Sequence, residues 1–148
     1  MPTASAPMRD GAAVDTNVLV AAHIVDHEHH DIAANAAAAA SHVLGQVLVE
    51  AWSVLRRHFR LSADAVGTML IAYLDDRELV APVEDDYREV MRTGRAAGLA
   101  GNVHDAVTVR TAGRSGLALT TLDAGQHRLA DGVVACRLLP DQDCDGSQ

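Results

Sequence analysis

Short apolar runs alternate with longer stretches of helical spacing along most of the chain. The apolar runs lie at residues 12–14, 42–44, 79–83, 117–121 and 133–138. Between them, apolar residues recur at three- and four-residue steps, which is typical of helices packed on a core. Strands that alternate with helices predict a parallel sheet covered on both faces. We therefore expect a three-layer α/β/α, Rossmann-like domain with a short, mainly parallel sheet of four to five strands.

Local signals mark several of the predicted helices. Alanine, the strongest helix former, dominates residues 33–40. Ser62 stands where it can cap the helix that includes residues 66–74. A glycine-containing break at residues 98–101 precedes Asn102, which can cap the next helix.

Acidic residues follow the predicted strands. Asp15 ends the first strand, Asp123 follows the fourth, and Asp105 stands in the first turn of the helix that leads to the fourth strand. Neighbouring parallel strands lie roughly 4.8 Å apart, so acids at their carboxyl ends can share one pocket. Ligands of open α/β sheets bind at that edge. Glu50 lies among apolar neighbours on a helix that starts at the same edge and can reach the same pocket.

Each of these acids also has a purely structural interpretation. Asp15 and Asp123 can cap the helices that follow them, and Asp105 can complement a helix dipole. Glu50 is different, because burial of an unpaired charge is costly. Crowded carboxylates would repel one another, and a divalent cation resolves that conflict. Mg²⁺ or Mn²⁺, bound by carboxylates, activates water for attack on a phosphodiester.

These acids, in their order and with their neighbouring residues, resemble the motifs of the PIN-domain family. The resemblance rests on Asp-Thr-Asn at residues 15–17, on Glu50 in an apolar helix, on His-Asp-Ala at residues 104–106 and on Thr-Thr-Leu-Asp at residues 120–123. It extends over roughly residues 12–139 in the order of elements as well as in motif. Within the family, the chain is most similar to the VapC toxins of bacterial VapBC toxin–antitoxin pairs.

The resemblance implies a function and a set of site residues. The implied protein is the toxin of a type II toxin–antitoxin system, a Mg²⁺- or Mn²⁺-dependent endoribonuclease that is held inactive by a cognate VapB-type antitoxin. Its implied products carry a 5′-phosphate and a 3′-hydroxyl, and a homodimer is the implied assembly. Carried over by position, the catalytic and metal-binding acids are Asp15, Glu50, Asp105 and Asp123. Asn17 and Thr121 match polar positions that support such a site by hydrogen bonds.

Composition restricts the class of protein further. The chain has 148 residues and a net charge of −8, which fits one domain and argues against non-specific coating of nucleic acid. No window approaches the roughly eighteen apolar residues of a membrane span, no signal peptide is evident, and we expect a cytoplasmic protein with reduced cysteines. The predicted organisation is a flexible lead-in at residues 1–11, the domain at residues 12–140 and an acidic tail at residues 141–148.

Other features leave alternatives open. His27, His29 and His30 could form a transition-metal site, although solvated histidines explain the cluster equally simply. The arginines at residues 56, 57 and 60 could contact RNA phosphates or merely end a helix. His104 beside Asp105 could contact substrate. A rival to the nuclease is a non-catalytic α/β module that sequesters an antitoxin or RNA. A phosphoryl-transfer protein with Asp15 as the nucleophile ranks last, because position 17 is Asn.

Overall fold

Strands and helices alternate through the computed structural model, which describes residues 11–97 and 103–140. In chain order the elements are β1 (Ala12–Val14), α1 (Thr16–His23), α2 (His30–Ala39), β2 (His42–Leu44), α3 (Gly45–Arg57), α4 (Ala63–Asp75), β3 (Glu78–Val80), α5 (Glu84–Ala97), α6 (Val103–Arg114), β4 (Ala118–Thr121), α7 (Ala124–Ala130) and β5 (Cys136–Leu138). The α/β class predicted from the pattern is confirmed. The predicted cap Asn102, the first ten residues and the acidic tail lie outside the described residues.

The strands form two parallel sheets. β4 lies in the centre of one sheet, with β1 and β5 on either side, and β2 pairs with β3 in the other. The two sheets meet where the backbone N–H of Ser41 donates to the carbonyl of Ala12 at 2.9 Å. There the N–H of Ala12 donates to the hydroxyl of Ser41 and not to a backbone carbonyl. The hydroxyl of Ser41 therefore stands in for a backbone carbonyl as the acceptor of this N–H group.

Three strands differ in extent from the predicted ones, and β4 differs only in that it begins at Ala118. β3 ends at Val80, before Pro82, which has no N–H to donate to a ladder. β5 begins at Cys136, because the N–H groups of Val133 and Val134 both donate to the carbonyl of Ala130 in the turn after α7. Apolar character alone extends through residues 133–138 and could not reveal this turn.

The core lies between the β1–β4–β5 sheet and the helices that follow its strands. Side chains from β1, α1, α3 and β4 are inaccessible to solvent, among them Ala13, Val18, Leu19, Leu55 and Leu119. α1 packs closely on α2 and α3, so the start of α1 is held rigidly beside the end of β1. None of the helices in the described ranges is long and apolar enough to cross a membrane.

A buried ion pair joins α5 to α6. Asp86 has no exposed surface and receives the Nε–H of Arg114 at 3.0 Å to each carboxylate oxygen. The same carboxylate accepts the backbone N–H of Val83 at 2.9 Å, one turn before it. Asp86 thus satisfies the start of α5 and fixes that helix to α6, a role that the sequence pattern did not indicate.

Candidate active site

Asp15 lies at the carboxyl end of β1 with its side chain turned into the protein. Its backbone N–H continues the β1–β4 pairing by donating to the carbonyl of Thr120 at 2.8 Å. It occupies the residue before α1, but its carboxylate makes no capping hydrogen bond to that helix. Instead, Oδ2 accepts the hydroxyl of Thr121 at 3.1 Å. The main side-chain partner of Asp15 is therefore a residue of β4 and not the N–H groups farther along α1.

The environment of Asp15 disfavours its charged form. The pKa of this carboxyl is raised to about 6, mainly by burial and in addition by the negative charges of Asp105 and Glu50. The backbone N–H of Thr16 and the hydroxyl of Thr121 act in the opposite direction. Only 5% of the residue is exposed, so water cannot stabilise the charge. An acid held in this state has a strong electrostatic preference for a nearby cation.

The other three acids reach the same region from different elements. Glu50 stands in the first half of α3, where its Oε2 accepts the hydroxyl of Thr16 at 2.9 Å. Asp105 lies in the first turn of α6 and is half-buried. Burial raises the pKa of Asp105, Glu50 and Asp123 raise it further, and His104 lowers it. The carboxylate of Asp105, on α6, is thus repelled by Glu50, on α3, and by Asp123, which precedes α7.

Asp123 caps the helix that follows it and also lines the cavity of the other acids. It is the cap of α7, because its Oδ1 accepts the N–H of Gly125 at 2.7 Å. The residue is exposed, and the capping bond uses only one of its two carboxylate oxygens. Capping therefore orients the carboxylate without preventing it from binding a cation.

All four acids line a single cavity of about 430 Å³. The residues that complete its wall are Thr16, Asn17, Val20, His27, Val54, His58 and Phe59, so no arginine lines it. Asp105 and Asp123 also line an adjoining cavity of about 460 Å³, together with Gly125, Arg128 and Leu129. The structure thus brings the predicted acids to one place, and no arginine lines the first cavity.

The donor set fits a hard divalent cation, although the acids are not drawn tightly together. Among the described residues, no three side chains of His, Cys, Asp or Glu are close enough to one another to form a ready-made metal cluster. Mg²⁺ commonly binds through one or two carboxylates and keeps several waters, so it does not require such a cluster. Oxygen donors, a buried acid with a raised pKa and mutual repulsion all favour Mg²⁺ or Mn²⁺ over softer metals.

Thr121 and Asn17 form a hydrogen-bond network behind the acids. The fully buried hydroxyl of Thr121 donates to Asp15 and accepts the backbone N–H of Asp123 at 3.0 Å. Oδ1 of Asn17 accepts the N–H of Leu122 at 3.1 Å, and its Nδ2 lies 3.4 Å from the Thr121 hydroxyl. The network ties the end of β4 to the first turn of α1.

The histidine cluster does not form a transition-metal site. Nδ1 of His30 bonds to the carbonyl of Ala21 at 2.9 Å, and His29 pairs with the exposed Glu28. No group of metal-binding side chains is found there within the residues described. His27, in contrast, lines the acidic cavity, a position that depends on how the loop after α1 folds back and that the sequence could not reveal.

Arg56 and His104, for which the sequence left two interpretations open, both make local contacts outside the acidic cavity. Arg56 donates to the carbonyl of Leu61 at 2.8 Å and so closes the end of α3. His104 faces a neighbouring apolar cavity of about 680 Å³, where its carbonyl accepts the amide of Gln46 at 2.9 Å. Neither side chain lines the acidic cavity.

Comparisons with known proteins agree with this architecture. The model of the PIN domain matches residues 12–132. The structure is similar to that of VapC20 from Mycobacterium tuberculosis, described as a sarcin–ricin-loop-cleaving toxin, with a TM-score of 0.66, 20% identity and coverage of 85% of this chain and 98% of that one. It is also similar to PAE2754 from Pyrobaculum aerophilum, with a TM-score of 0.56, 24% identity and coverage of 84% and 90%. Comparison with curated protein sequences gives no match. The matched residues include nearly every described element, and the chain belongs to the PIN-domain family.

Proposed function

We propose that this protein is a Mg²⁺- or Mn²⁺-dependent endoribonuclease and the toxin of a type II toxin–antitoxin system. The observation that carries the proposal is the cavity in which a buried aspartate, Asp15, meets three further carboxylates and no arginine. Membership of the PIN-domain family and the structural similarity to VapC20, a toxin that cleaves RNA, support the substrate class.

The four acids have different roles in the proposed reaction. Asp15 and Asp105 are the first metal ligands, because burial and repulsion favour a cation most strongly at these two carboxylates. Thr16 holds Glu50, and the cap of α7 orients Asp123, so these two carboxylates can bind water molecules and complete the site. The bound metal would supply a Lewis acid and a water of lowered pKa. Attack on phosphorus leaves a 5′-phosphate on one product and a 3′-hydroxyl on the other.

Asp15→Asn tests the nuclease proposal. The substitution keeps the shape of the side chain and an oxygen that can accept the Thr121 hydroxyl, but it removes the charge that binds the metal. We expect RNA cleavage in Mg²⁺ or Mn²⁺ to be abolished while circular dichroism shows a folded domain. The matched control is Asp85→Asn, an exposed acid on α5 that lies outside the cavity. Metal-dependent cleavage by folded Asp15→Asn would refute the assignment.

A second candidate is a binding module without catalysis. It is favoured by one observation, that the acids are not already gathered into a metal cluster. Titration with Mn²⁺ separates the two functions. A nuclease binds the metal, with heat that disappears in Asp15→Asn, whereas absence of binding at millimolar metal favours the module.

The proposed partners are a VapB-type antitoxin and a second copy of the chain, in the cytoplasm. If a short reading frame for a small DNA-binding protein lies immediately upstream, co-expression of its product is expected to suppress growth arrest by the toxin. If growth arrest persists and no complex forms, the toxin–antitoxin assignment fails while the nuclease assignment remains open to the assay above.

A further inference from the structure

The cavity of the four acids continues into its neighbour. The two cavities share Asp105 and Asp123, so together they form one groove, here named the acidic groove. His27 lines one end and Arg128 lines the other. The carboxylates therefore lie in the middle of the groove, with a possible hydrogen-bond donor on each side.

His27 is held with one ring nitrogen available. The backbone N–H of His29 donates to Nδ1 of His27 at 3.1 Å, so a neutral imidazole carries its proton on Nε2. No described residue accepts a hydrogen bond from that Nε2. The turn is further held by His30, which bonds to the carbonyl of Ala21. His27 is thus half-buried, oriented by its neighbours and provided with an unused N–H donor.

Arg128 is placed beside the acids without being neutralised by them. A methyl group built at Gly125 would lie 3.1 Å from Oδ1 of Asp123 and 3.7 Å from Nη2 of Arg128, so both groups lie on the same side of that glycine. Arg128 nevertheless forms no ion pair within the described part of the chain. Its guanidinium stays available to a phosphate, for which its planar donors are well suited.

A strand of RNA needs donors on both sides of such a site. The cation held by the carboxylates can offset the charge of the phosphate under attack, but the adjacent phosphates would still face an acidic surface. Donors that bind those phosphates position the strand and add affinity. In addition, His58 and Phe59 line the same cavity as His27. Their rings pack edge to face with centroids 4.8 Å apart and offer apolar surface to a base.

We propose that the RNA backbone crosses the acidic groove from His27 to Arg128. His27 donates Nε2–H to a phosphate oxygen on one side of the carboxylates, and Arg128 binds a phosphate on the other side. This inference rests on the proposed nuclease function and adds to it the path of the substrate and two positioning residues.

Binding of RNA in the uncleaving Asp15→Asn protein tests the inference directly. The probe is a fluorescein-labelled single-stranded RNA oligonucleotide of mixed sequence, measured by anisotropy in Mg²⁺ over a range of salt concentrations. Arg128→Ala should weaken binding and reduce the slope of log K against log salt by about 0.7, as expected when one phosphate contact to a single strand is lost. His27→Ala, which removes the Nε2–H donor, should weaken binding by about tenfold.

Matched variants separate these roles from general effects. His29→Ala removes a neighbouring imidazole but keeps the backbone N–H that orients His27. Arg88→Ala removes an exposed arginine of α5 that lies outside the acidic groove. Neither should change the affinity or the salt slope. His27→Gln keeps a side-chain N–H donor and should recover part of the lost affinity.

The outcomes distinguish the inference from the function on which it rests. If the unsubstituted protein cleaves RNA but His27→Ala and Arg128→Ala bind like their controls, the groove is wrong and the nuclease stands. If the unsubstituted protein binds RNA without cleaving it, and both substitutions weaken binding as described, the proposed RNA path is supported and the nuclease assignment is refuted. Absence of RNA binding by the protein overturns the inference.

Discussion

The hydroxyl of Thr121 donates a 3.1 Å hydrogen bond to Oδ2 of Asp15, and so joins residues that are 106 positions apart. The contact follows from the parallel register of β1 and β4, in which Val14 is opposite Thr120. One residue farther along each strand, the acid and the hydroxyl emerge together at the carboxyl edge of the sheet. Neither residue is accessible enough for water to replace this bond.

Thr121→Val should loosen the site. Valine has nearly the same shape, but it removes the donor to Asp15 and the acceptor for the N–H of Asp123. Leaving such buried groups unpaired should reduce the free energy of unfolding by about 1–3 kcal/mol. Mn²⁺ affinity should fall by about 10–100-fold, as is typical when a supporting hydrogen bond to a ligand is lost. Urea unfolding and calorimetric titration measure the two effects.

Thr121→Ser is the control, because it keeps the hydroxyl at the cost of a methyl group. It should retain most of the metal affinity. Equal affinities of the valine and serine variants would show that the hydroxyl does not support a metal site.

The metal-free protein should lose stability as pH rises. The folded protein raises the pKa of Asp15 from 3.8 to about 6, so ionisation is easier in the unfolded chain. The stabilising contribution of the protonated acid is complete below about pH 4 and is lost as pH rises through about 6. That pKa difference corresponds to about 3 kcal/mol. Thermal unfolding in a chelator, measured across this range, should show the decline.

Asp15→Asn should remove most of that decline, because asparagine does not ionise. In chelator near pH 8 the variant should unfold at a higher temperature than the unsubstituted protein, and near pH 4 the two should be similar. Asp123→Asn, at an exposed position, should not produce this pattern. If Asp15→Asn is less stable than the unsubstituted protein at every pH, ionisation of Asp15 does not cause the decline in stability.

Asp86→Ala should destabilise the domain strongly. The substitution leaves the guanidinium of Arg114 and the N–H of Val83 without the carboxylate that satisfies them. Loss of these hydrogen bonds to a buried carboxylate should cost about 1–3 kcal/mol, because Arg114 is partly exposed and water can solvate its charge. Asp85→Ala, which breaks only the exposed pair with Arg110, should cost less than about 1 kcal/mol. Similar urea midpoints for Asp86→Ala and Asp85→Ala would contradict a structural role for Asp86.

Thr16→Val should affect catalysis more than folding. It removes the hydroxyl that donates to Oε2 of Glu50 at 2.9 Å and leaves that carboxylate free to rotate. We expect a lower kcat for RNA cleavage, and Thr16→Ser should restore it. Thr68→Val is a matched control, because its hydroxyl bonds only to the carbonyl of Asp64 on an exposed helix face. A kcat that is unchanged in Thr16→Val would mean that the position of Glu50 does not limit the reaction.

The sequence alone determined the elements whose signals are local. β2 has the predicted bounds, and Ser62 and Asp123 cap the helices that they precede. Period and capping depend on a few neighbouring residues, so both can be read from the chain. The order of acids along the strands also indicated a shared pocket at one sheet edge, although their catalytic roles stay a prediction.

Only the tertiary structure decided what depends on residues far apart in the chain. The hydroxyl of Ser41 accepts the N–H of Ala12 where the two sheets meet, 29 positions away, and the clamp of Asp86 depends on an arginine 28 positions away. His27 enters the wall of the acidic cavity because a turn brings it there, and no periodicity encodes that approach. For Asp15, the tertiary structure supplies the burial that raises its pKa, because the same acid in water would have an ordinary pKa.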